Sequence, residues 1–243
     1  MPYTSNFQEA IREAQMSALT GPNVVKKSLP YVGGGLILTA GGVFGGLSLL
    51  QNNPGAFMPA FVVALIGQIV LFFVAQNAAA KGNNGTALPL LTTYSLLTGF
   101  TLTGLIVQAV GSVGIGGIGV AALACGITFV IAQQIGTNMS DENGLAFGRA
   151  IGLGMIALLV ALVVQLIGGF FFPGMLSGPF ELLIAGAGTV IFAGAAVVDF
   201  YTMPRTYRDD QYLAAALGMY LTYINLFIFI LRFLIALNGN NRD

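Results

Sequence analysis

Charged side chains are scarce in this sequence, and their scarcity argues against a soluble protein. Only 7% of the 243 residues are charged, whereas 56% are hydrophobic. An average soluble domain is about 25% charged. The nine basic and nine acidic residues balance, and no basic run exceeds Lys26-Lys27, so the sequence lacks the positive patch of a nucleic-acid-binding protein. We therefore expect the partner of this chain to be the lipid bilayer and not nucleic acid.

Histidine is absent and cysteine occurs once, which argues against most metal and cofactor sites. Zinc and haem are bound by these residues, and Cys125 stands alone in an apolar run. Catalysis by a Ser-His or Cys-His pair is excluded by the same absence. A retinal Schiff base needs a lysine deep in the last apolar run, but the lysines are Lys26, Lys27 and Lys81. We expect no cofactor, no bound structural metal and no enzymatic activity.

Long apolar runs separated by short polar breaks predict an all-α membrane protein. A helix that crosses the hydrocarbon core, about 30 Å thick, needs about 20 largely apolar residues. The sequence holds seven such runs, so we predict a bundle of seven transmembrane helices. The predicted spans are 28–50, 56–80, 86–110, 113–136, 146–171, 180–203 and 211–237.

The remaining segments are too short to form a second domain. Residues 1–27 are polar and lack the apolar core of a cleaved signal, so they are predicted to form an N-terminal segment. Residues 28–237 form the predicted transmembrane domain, and residues 238–243 form a short C-terminal tail.

Basic residues predict the orientation of the bundle, because Lys and Arg that flank spans tend to stay in the cytoplasm. Most of them fall on the N-terminal side of a seven-span arrangement, and the three loops on the other side carry none. The residues on the N-terminal side are Arg12, Lys26, Lys27, Lys81, Arg149, Arg205 and Arg208. We therefore expect a cytoplasmic N-terminus and a C-terminus on the other side of the membrane.

Glycine is abundant, with 34 residues, many of them inside the predicted spans. Small residues allow helix backbones to approach closely in lipid, where no hydrophobic force drives helices together. Close helix packing is the expected role of these glycines, and a hinge for gating is the alternative.

Asp199 is the acidic residue that lies most clearly inside a predicted span. A charged carboxylate at membrane depth costs about 2.5–3.5 kcal/mol on insertion scales, so such a residue is a functional candidate by default. Asp199 lies near the cytoplasmic end of the sixth span, shortly before Pro204. The alternative role is an interfacial residue that ends the span.

The seventh span carries polar residues through its middle. Thr222 and Asn225 are three positions apart and share a helix face, with Tyr220 near them along the axis. Together with Asp199 they are the predicted residues of an ion pathway or sensing site. An inward-facing amide such as Asn225 also serves as hydrogen-bonding glue between helices.

Two charged residues are expected near the opposite membrane surface. Glu181 begins the sixth span, where a carboxylate suits the N-terminus of a helix. Arg232 lies at the end of the seventh span and is expected to anchor it at the interface, not to pair with Asp199. Several glutamines in or near the spans, Gln165 among them, are assigned no role.

The layout of the spans, the position of Asp199 and the segment Met219 to Arg232 resemble the Bax inhibitor-1 (transmembrane BAX inhibitor motif) family. In that family the last span typically reads Leu-Tyr-Leu-Asp, two residues, Asn-Leu-Phe, and then apolar residues ending in Leu-Arg. The stretch Tyr94 to Thr103 is similar to the family's third span. The resemblance implies seven helices with the last one central, and a proton-sensitive calcium leak controlled by paired aspartates on the last two spans.

The sequence departs from the family at the second aspartate. Asp199 matches the first member of the pair, but Thr222 occupies the second position. Two close carboxylates share a proton because both cannot ionise cheaply, so the family's proton switch cannot operate here in the same form. Phe200-Tyr201 also replaces the usual Thr-Gln, and the second span contains no arginine.

Two functions follow from this resemblance. The first is a channel or sensor for a cation such as calcium, in which Asp199 is the titratable group. Calcium prefers several oxygen ligands, so Asp199, Thr222 and Asn225 would offer at most a weak, partly hydrated site. The second is a non-conducting regulator or subunit that docks onto another membrane assembly such as a membrane protease, since some bacterial members of the family are linked to one.

Overall fold

A computed structural model describes residues 19–171 and 178–240 of the chain. The described residues form six α-helices and no strand, which confirms the all-α prediction. The predicted segments 1–27 and 238–243 lie partly outside the described residues, as does the break after the fifth predicted span. The helices are α1 Val24–Asn52, α2 Pro54–Ala80, α3 Asn84–Thr137, α4 Asp141–Phe171, α5 Pro179–Thr206 and α6 Tyr212–Asn240.

All six helices are long and apolar enough to cross a membrane. Most of them extend a few residues beyond the predicted spans, because hydropathy detects the apolar part of a helix and not its polar ends. The outer faces of α2 and α4 carry many exposed large hydrophobic side chains, such as Phe73 and Leu153. In a bilayer these side chains face lipid, so their exposure to the surroundings is favourable.

Helix α6 lies at the centre of the bundle. Several of its side chains, including Tyr220, Leu226 and Leu231, are completely buried. Tyr220 packs edge-on against Tyr94 of α3, with ring centroids 6.0 Å apart, and Tyr31 of α1 contacts Tyr212 at 5.2 Å. The last helix therefore contacts elements from the whole length of the chain.

Helix α3 is interrupted at Gly114, two residues beyond the predicted boundary between the third and fourth spans, 86–110 and 113–136. Gly114 has φ 72° and ψ 177°, a conformation that residues with a side chain rarely adopt. A straight helix of 54 residues would be about 81 Å long, far longer than a bilayer is thick. The two halves on either side of Gly114 are 84–113 and 115–137.

The two halves of α3 lie side by side. Phe129 in the second half packs against Tyr223 of α6 at 5.0 Å, only three positions along α6 from Tyr220, which the first half contacts through Tyr94. In a straight helix Tyr94 and Phe129 would be about 52 Å apart. Because both contact the same part of α6, the chain reverses direction at Gly114.

Both ends of α3 also reach the same end of the bundle. The Asn84 side-chain amide donates to the Asp210 carbonyl oxygen at 2.9 Å. Just beyond the other end of α3, Asp141 pairs with Arg205 at 3.0 Å. We call this end of the bundle the loop face; it is formed by residues 20–27, 80–84, 138–141 and 204–211.

Asp209 connects the start of α1 to the loop between α5 and α6. Its carboxylate accepts hydrogen bonds from the backbone N–H and side-chain amide of Asn23, at 2.9 and 3.1 Å, and pairs with Lys27 at 3.4 Å. Partial desolvation favours the neutral form of Asp209, but these hydrogen bonds outweigh it and lower its pKa. The charged form of Asp209 therefore helps to join the start of α1 to the loop between α5 and α6.

Helix α1 and the first half of α3 approach each other through glycine. A Cβ atom on Gly99 would overlap the Thr39 carbonyl oxygen, and one on Gly42 would overlap the Leu96 carbonyl oxygen. The contact is therefore backbone against backbone, as the abundance of glycine predicts. Thr39 donates from its hydroxyl to the Gly35 carbonyl oxygen at 2.9 Å, within the same contact region.

Candidate functional site

Asp199 lies on α5 about 10 Å along the axis from the end of that helix at the loop face. The residue is partly buried, and its Oδ2 atom is shielded from solvent without a hydrogen-bond partner. Unpartnered buried polar atoms are rare in proteins and call for an explanation. Asp199 therefore remains the leading functional candidate.

Thr222 of α6 faces Asp199. Its side chain lies near the Asp199 carboxyl group, and only 7% of the residue is exposed. A threonine hydroxyl can donate one hydrogen bond, whereas a carboxylate accepts about four, so Thr222 alone would leave most of that capacity unused. Asp199 and Thr222 thus lie close together, at the two positions where the resemblance implies paired aspartates.

Close packing from α3 holds this part of α5 in place. A Cβ on Gly136 would overlap the Val197 carbonyl oxygen, so the second half of α3 lies directly on α5 backbone beside Asp199. Phe200, the next residue, packs edge-on against Phe129 at 5.9 Å. Asp199 is therefore carried by a segment with little freedom to move.

Tyr220 and Asn225 do not join Asp199 and Thr222 in one cluster. The Tyr220 hydroxyl lies 2.6 Å from the Thr39 hydroxyl of α1, and its ring faces α3. Asn225 donates from its side-chain amide to the Leu221 carbonyl oxygen of its own helix at 2.9 Å. Of the four predicted site residues, Asp199 and Thr222 are the two that lie near each other.

An ion pair at the opposite end of α5 and α6 was not foreseen from the sequence. Arg232 donates from Nε and Nη2 to the two carboxylate oxygens of Glu181, at 2.8 and 2.9 Å. The same Nη2 donates to the Gln165 side-chain oxygen at 3.0 Å, and the Gln165 amide donates to Glu181. Arg232 is therefore a bidentate partner of Glu181, and its predicted role as an interfacial anchor is incomplete.

Glu181 is also more than a helix-terminal charge. It lies in the first turn of α5, as predicted, but the N-cap position is Gly178, which provides no side-chain cap. The side chains of Glu181 and Arg232 are only 26% and 22% exposed. Charges this shielded depend on their partners, so Glu181, Arg232 and Gln165 form one unit.

Two stacked aromatic rings separate the polar ends of α5 and α6. The rings of Phe192 on α5 and Phe229 on α6 lie 5.4 Å apart with an interplanar angle of 21°. Gly188 packs directly against the Phe229 ring, where any Cβ atom would overlap it. The Arg232 guanidinium lies 5.5 Å from the centre of the same ring, which is within the range of a cation–π contact.

The acidic residues of the described ranges, 19–171 and 178–240, do not form a metal centre. They contain no group of three or more His, Cys, Asp or Glu residues that could hold a metal ion. The arrangement is chemically suited to binding or passing a hydrated cation weakly. It contains no pairing of a nucleophile with a histidine base, because the sequence has no histidine.

Comparisons with known proteins agree with this reading of the fold. A family model described as inhibitor of apoptosis-promoting Bax1 matches residues 21–240. An uncharacterized membrane protein of Streptococcus pyogenes serotype M1 is 32% identical over 194 residues, which cover 76% of this chain and 77% of the relative. An uncharacterized protein of Lactococcus lactis, YrjE, is 28% identical over 204 residues, covering 81% of this chain and 79% of that protein.

The similarity extends to more distant bacteria. An uncharacterized protein of Helicobacter pylori strain 26695 is 27% identical over 218 residues, which cover 86% of this chain and 84% of the relative. The family match spans all six helices described above and both ends of the α5–α6 pair. The chain is therefore an integral membrane protein that belongs to the Bax inhibitor-1 family.

Proposed function

We propose that this protein senses or passes cations, with calcium as the leading candidate, through a site at which Asp199 is the titratable group. The observation that carries the proposal is the buried Asp199 Oδ2 atom without a hydrogen-bond partner. Intramembrane carboxylates are costly and mark ion pathways or proton relays. Thr222, in reach of the same carboxyl group, adds a neutral oxygen that a hydrated cation accepts as a ligand.

The proposal includes a topology with seven crossings of a bacterial inner membrane and a cytoplasmic N-terminus. In this topology each half of α3 crosses the bilayer once, with Gly114 on the outer side. The contacts of Asn84 with Asp210 and of Asp141 with Arg205, both at the loop face, support it. Lys27, Arg205 and Arg208 also lie on the loop face, as expected for a cytoplasmic surface.

Single cysteines test this topology. We expect Gly116→Cys to react with a membrane-impermeant maleimide in intact cells, whereas Gly85→Cys and Thr137→Cys react only after the membrane is permeabilised. All three positions are exposed, and the native Cys125 is fully buried and serves as the unreactive background. Labelling of Gly85→Cys and Thr137→Cys from opposite sides would contradict the double crossing.

Calcium entry into proteoliposomes tests the role of Asp199. We expect Asp199→Asn to remove most of the flux that the wild type supports, because the neutral amide cannot attract a cation. Asn225→Gln is a matched control, since it alters a nearby polar residue that bonds its own helix. The measurement is the initial rate of calcium entry, reported by a trapped dye, across the neutral pH range.

Thr222→Asp tests whether a second aspartate beside Asp199 creates the proton switch that the family resemblance implies. A second carboxylate within reach of Asp199 would share a proton with it, so we expect flux that depends more strongly on pH than in the wild type. If Asp199→Asn leaves both the flux and its pH dependence unchanged, Asp199 is not the site. No flux in any of these variants would favour the second function, a non-conducting regulator that docks onto another membrane protein.

A further inference from the structure

The two acidic residues of α5 lie on one face of the helix. Glu181 and Asp199 are eighteen positions apart, which corresponds to five full turns of about 3.6 residues each. Gly188 and Phe192 lie between them on the side that contacts α6. At about 1.5 Å per residue the two carboxylates are about 27 Å apart, close to the thickness of the hydrocarbon core.

The side of α6 that faces α5 carries the partners of these residues. They follow the reverse order along the chain, because the two helices run in opposite directions. Thr222 faces Asp199, Phe229 stacks on Phe192, and Arg232 pairs with Glu181. We call this contact the α5–α6 seam; it consists of Glu181, Gly188, Phe192 and Asp199 of α5 and Thr222, Phe229 and Arg232 of α6. The seam therefore has a polar group near each membrane surface and an aromatic pair between them.

We propose that the stacked rings of Phe192 and Phe229 are the closed gate of a cation path along the α5–α6 seam. The two rings are 9% and 4% exposed, so this apolar pair is buried between the two polar ends of the seam. Hydrophobic constrictions gate ion pathways by excluding water. This inference rests on the proposed function, because it places the gate between Asp199 and the outer ion pair.

The neighbours of the two rings fit a gate that is sealed in this conformation. Gly188 has no side chain and so lets the Phe229 ring lie flat against α5. The Arg232 guanidinium lies over the Phe229 ring, 5.5 Å from its centre, while it also pairs with Glu181. Rotation of Phe229 away from Phe192 would open the seam without disturbing the contacts of α6 with α1, which lie on another side of the helix.

The test compares Phe192→Ala and Phe229→Ala with Phe57→Ala in proteoliposomes loaded with a calcium dye. Phe57 is the control, because it is partly buried and packs against two aromatic rings, but it belongs to α2 and lies outside the seam. We expect each seam variant to raise the rate of calcium entry about tenfold, equivalent to about 1.4 kcal/mol off the barrier. Phe57→Ala should leave the rate near that of the wild type.

Adding Asp199→Asn to Phe192→Ala separates the gate from the proposed function. Loss of the raised flux in the double variant supports a gate on the path that Asp199 serves. Raised flux that persists without Asp199 supports the gate but contradicts the role of Asp199. Unchanged flux in both seam variants, alongside loss of flux in Asp199→Asn alone, overturns the gate and leaves the proposed function standing.

Two further results would also decide the question. An equal rise with Phe57→Ala overturns the gate, because it shows that loosening the bundle away from the seam also causes leakage. If an alanine variant does not fold, Phe192→Leu and Phe229→Leu replace it, since they keep most of the apolar volume and lose the flat stack. We expect these variants to raise the flux less than alanine does, and no rise in any seam variant would contradict the gate.

Discussion

Gly99→Val is expected to cost about 3 kcal/mol of stability, the upper end of overpacking costs, and to leave little folded protein. A Cβ atom at this position would overlap the Thr39 carbonyl oxygen and approach the Val43 backbone nitrogen of α1 to 2.9 Å. Backbone atoms cannot rotate away as a flexible side chain would, so α1 and α3 must separate. That separation would also break the hydrogen bond between Thr39 and Tyr220.

Glycines of α1, the helix against which Gly99 packs, provide the control for Gly99→Val. A Cβ added to Gly34 or Gly45 of α1 would meet no atom within 4 Å. Replacing such a helical glycine with alanine is expected to be neutral or to stabilise the helix by about 0.5–1 kcal/mol. A fall in stability for Gly34→Ala or Gly45→Ala as large as for Gly99→Val would show that the close contact is not the cause.

The single cysteine provides the measurement. Cys125 is fully buried, so a dye that fluoresces on reaction with a thiol reports when heating unfolds the detergent-solubilised protein. The sequence contains no tryptophan, which makes this assay more direct than intrinsic fluorescence. We expect a lower midpoint of unfolding for Gly99→Val and an unchanged or higher midpoint for the two control variants.

Arg232→Gln is expected to destabilise the protein by about 2–3 kcal/mol. Breaking a fully buried ion pair by removing one partner costs about 3–5 kcal/mol, and the partial exposure of Glu181 and Arg232, 26% and 22%, brings the expected cost below that range. The variant leaves the Glu181 carboxylate with only Gln165 as a partner. The same thermal assay measures the change.

A double variant distinguishes the lost pair from lost packing. In Arg232→Gln combined with Glu181→Gln no charge remains unpaired, so we expect the double variant to be more stable than Arg232→Gln alone. Arg149→Gln is the control for the loss of a positive charge, because Arg149 is an exposed residue of α4. Additive losses in the double variant would mean that the two residues contribute independently.

The helical fold was predictable from the sequence because it depends on the length of apolar runs. The runs located each helix, and the boundary between the predicted spans 86–110 and 113–136 lies within a few residues of the reversal at Gly114. Hydropathy is averaged over many residues, so it does not reveal that a single non-helical residue separates the two halves of α3. The count of seven crossings stays a prediction for the same reason.

The side-chain partners in the candidate site were harder to predict. Pairing of Glu181 with Arg232 depends on the rotation and register of two helices, which composition does not encode. The spacing of Glu181 and Asp199 did contain a signal, since residues eighteen positions apart share a helix face. Helix geometry also separates Tyr220 from Thr222, because residues two positions apart point about 200° from each other.

The reversal within α3 has a consequence for how the chain enters the membrane during synthesis. No charged residue occurs between Lys81 and Asp141. Neither half of α3 therefore has a charge next to the Gly114 turn that would fix the side of the membrane on which the turn lies. The turn itself is a single glycine and offers no polar loop to the far side. The two halves are therefore expected to leave the insertion machinery together as one hairpin, with its direction set by the basic residues on the loop face.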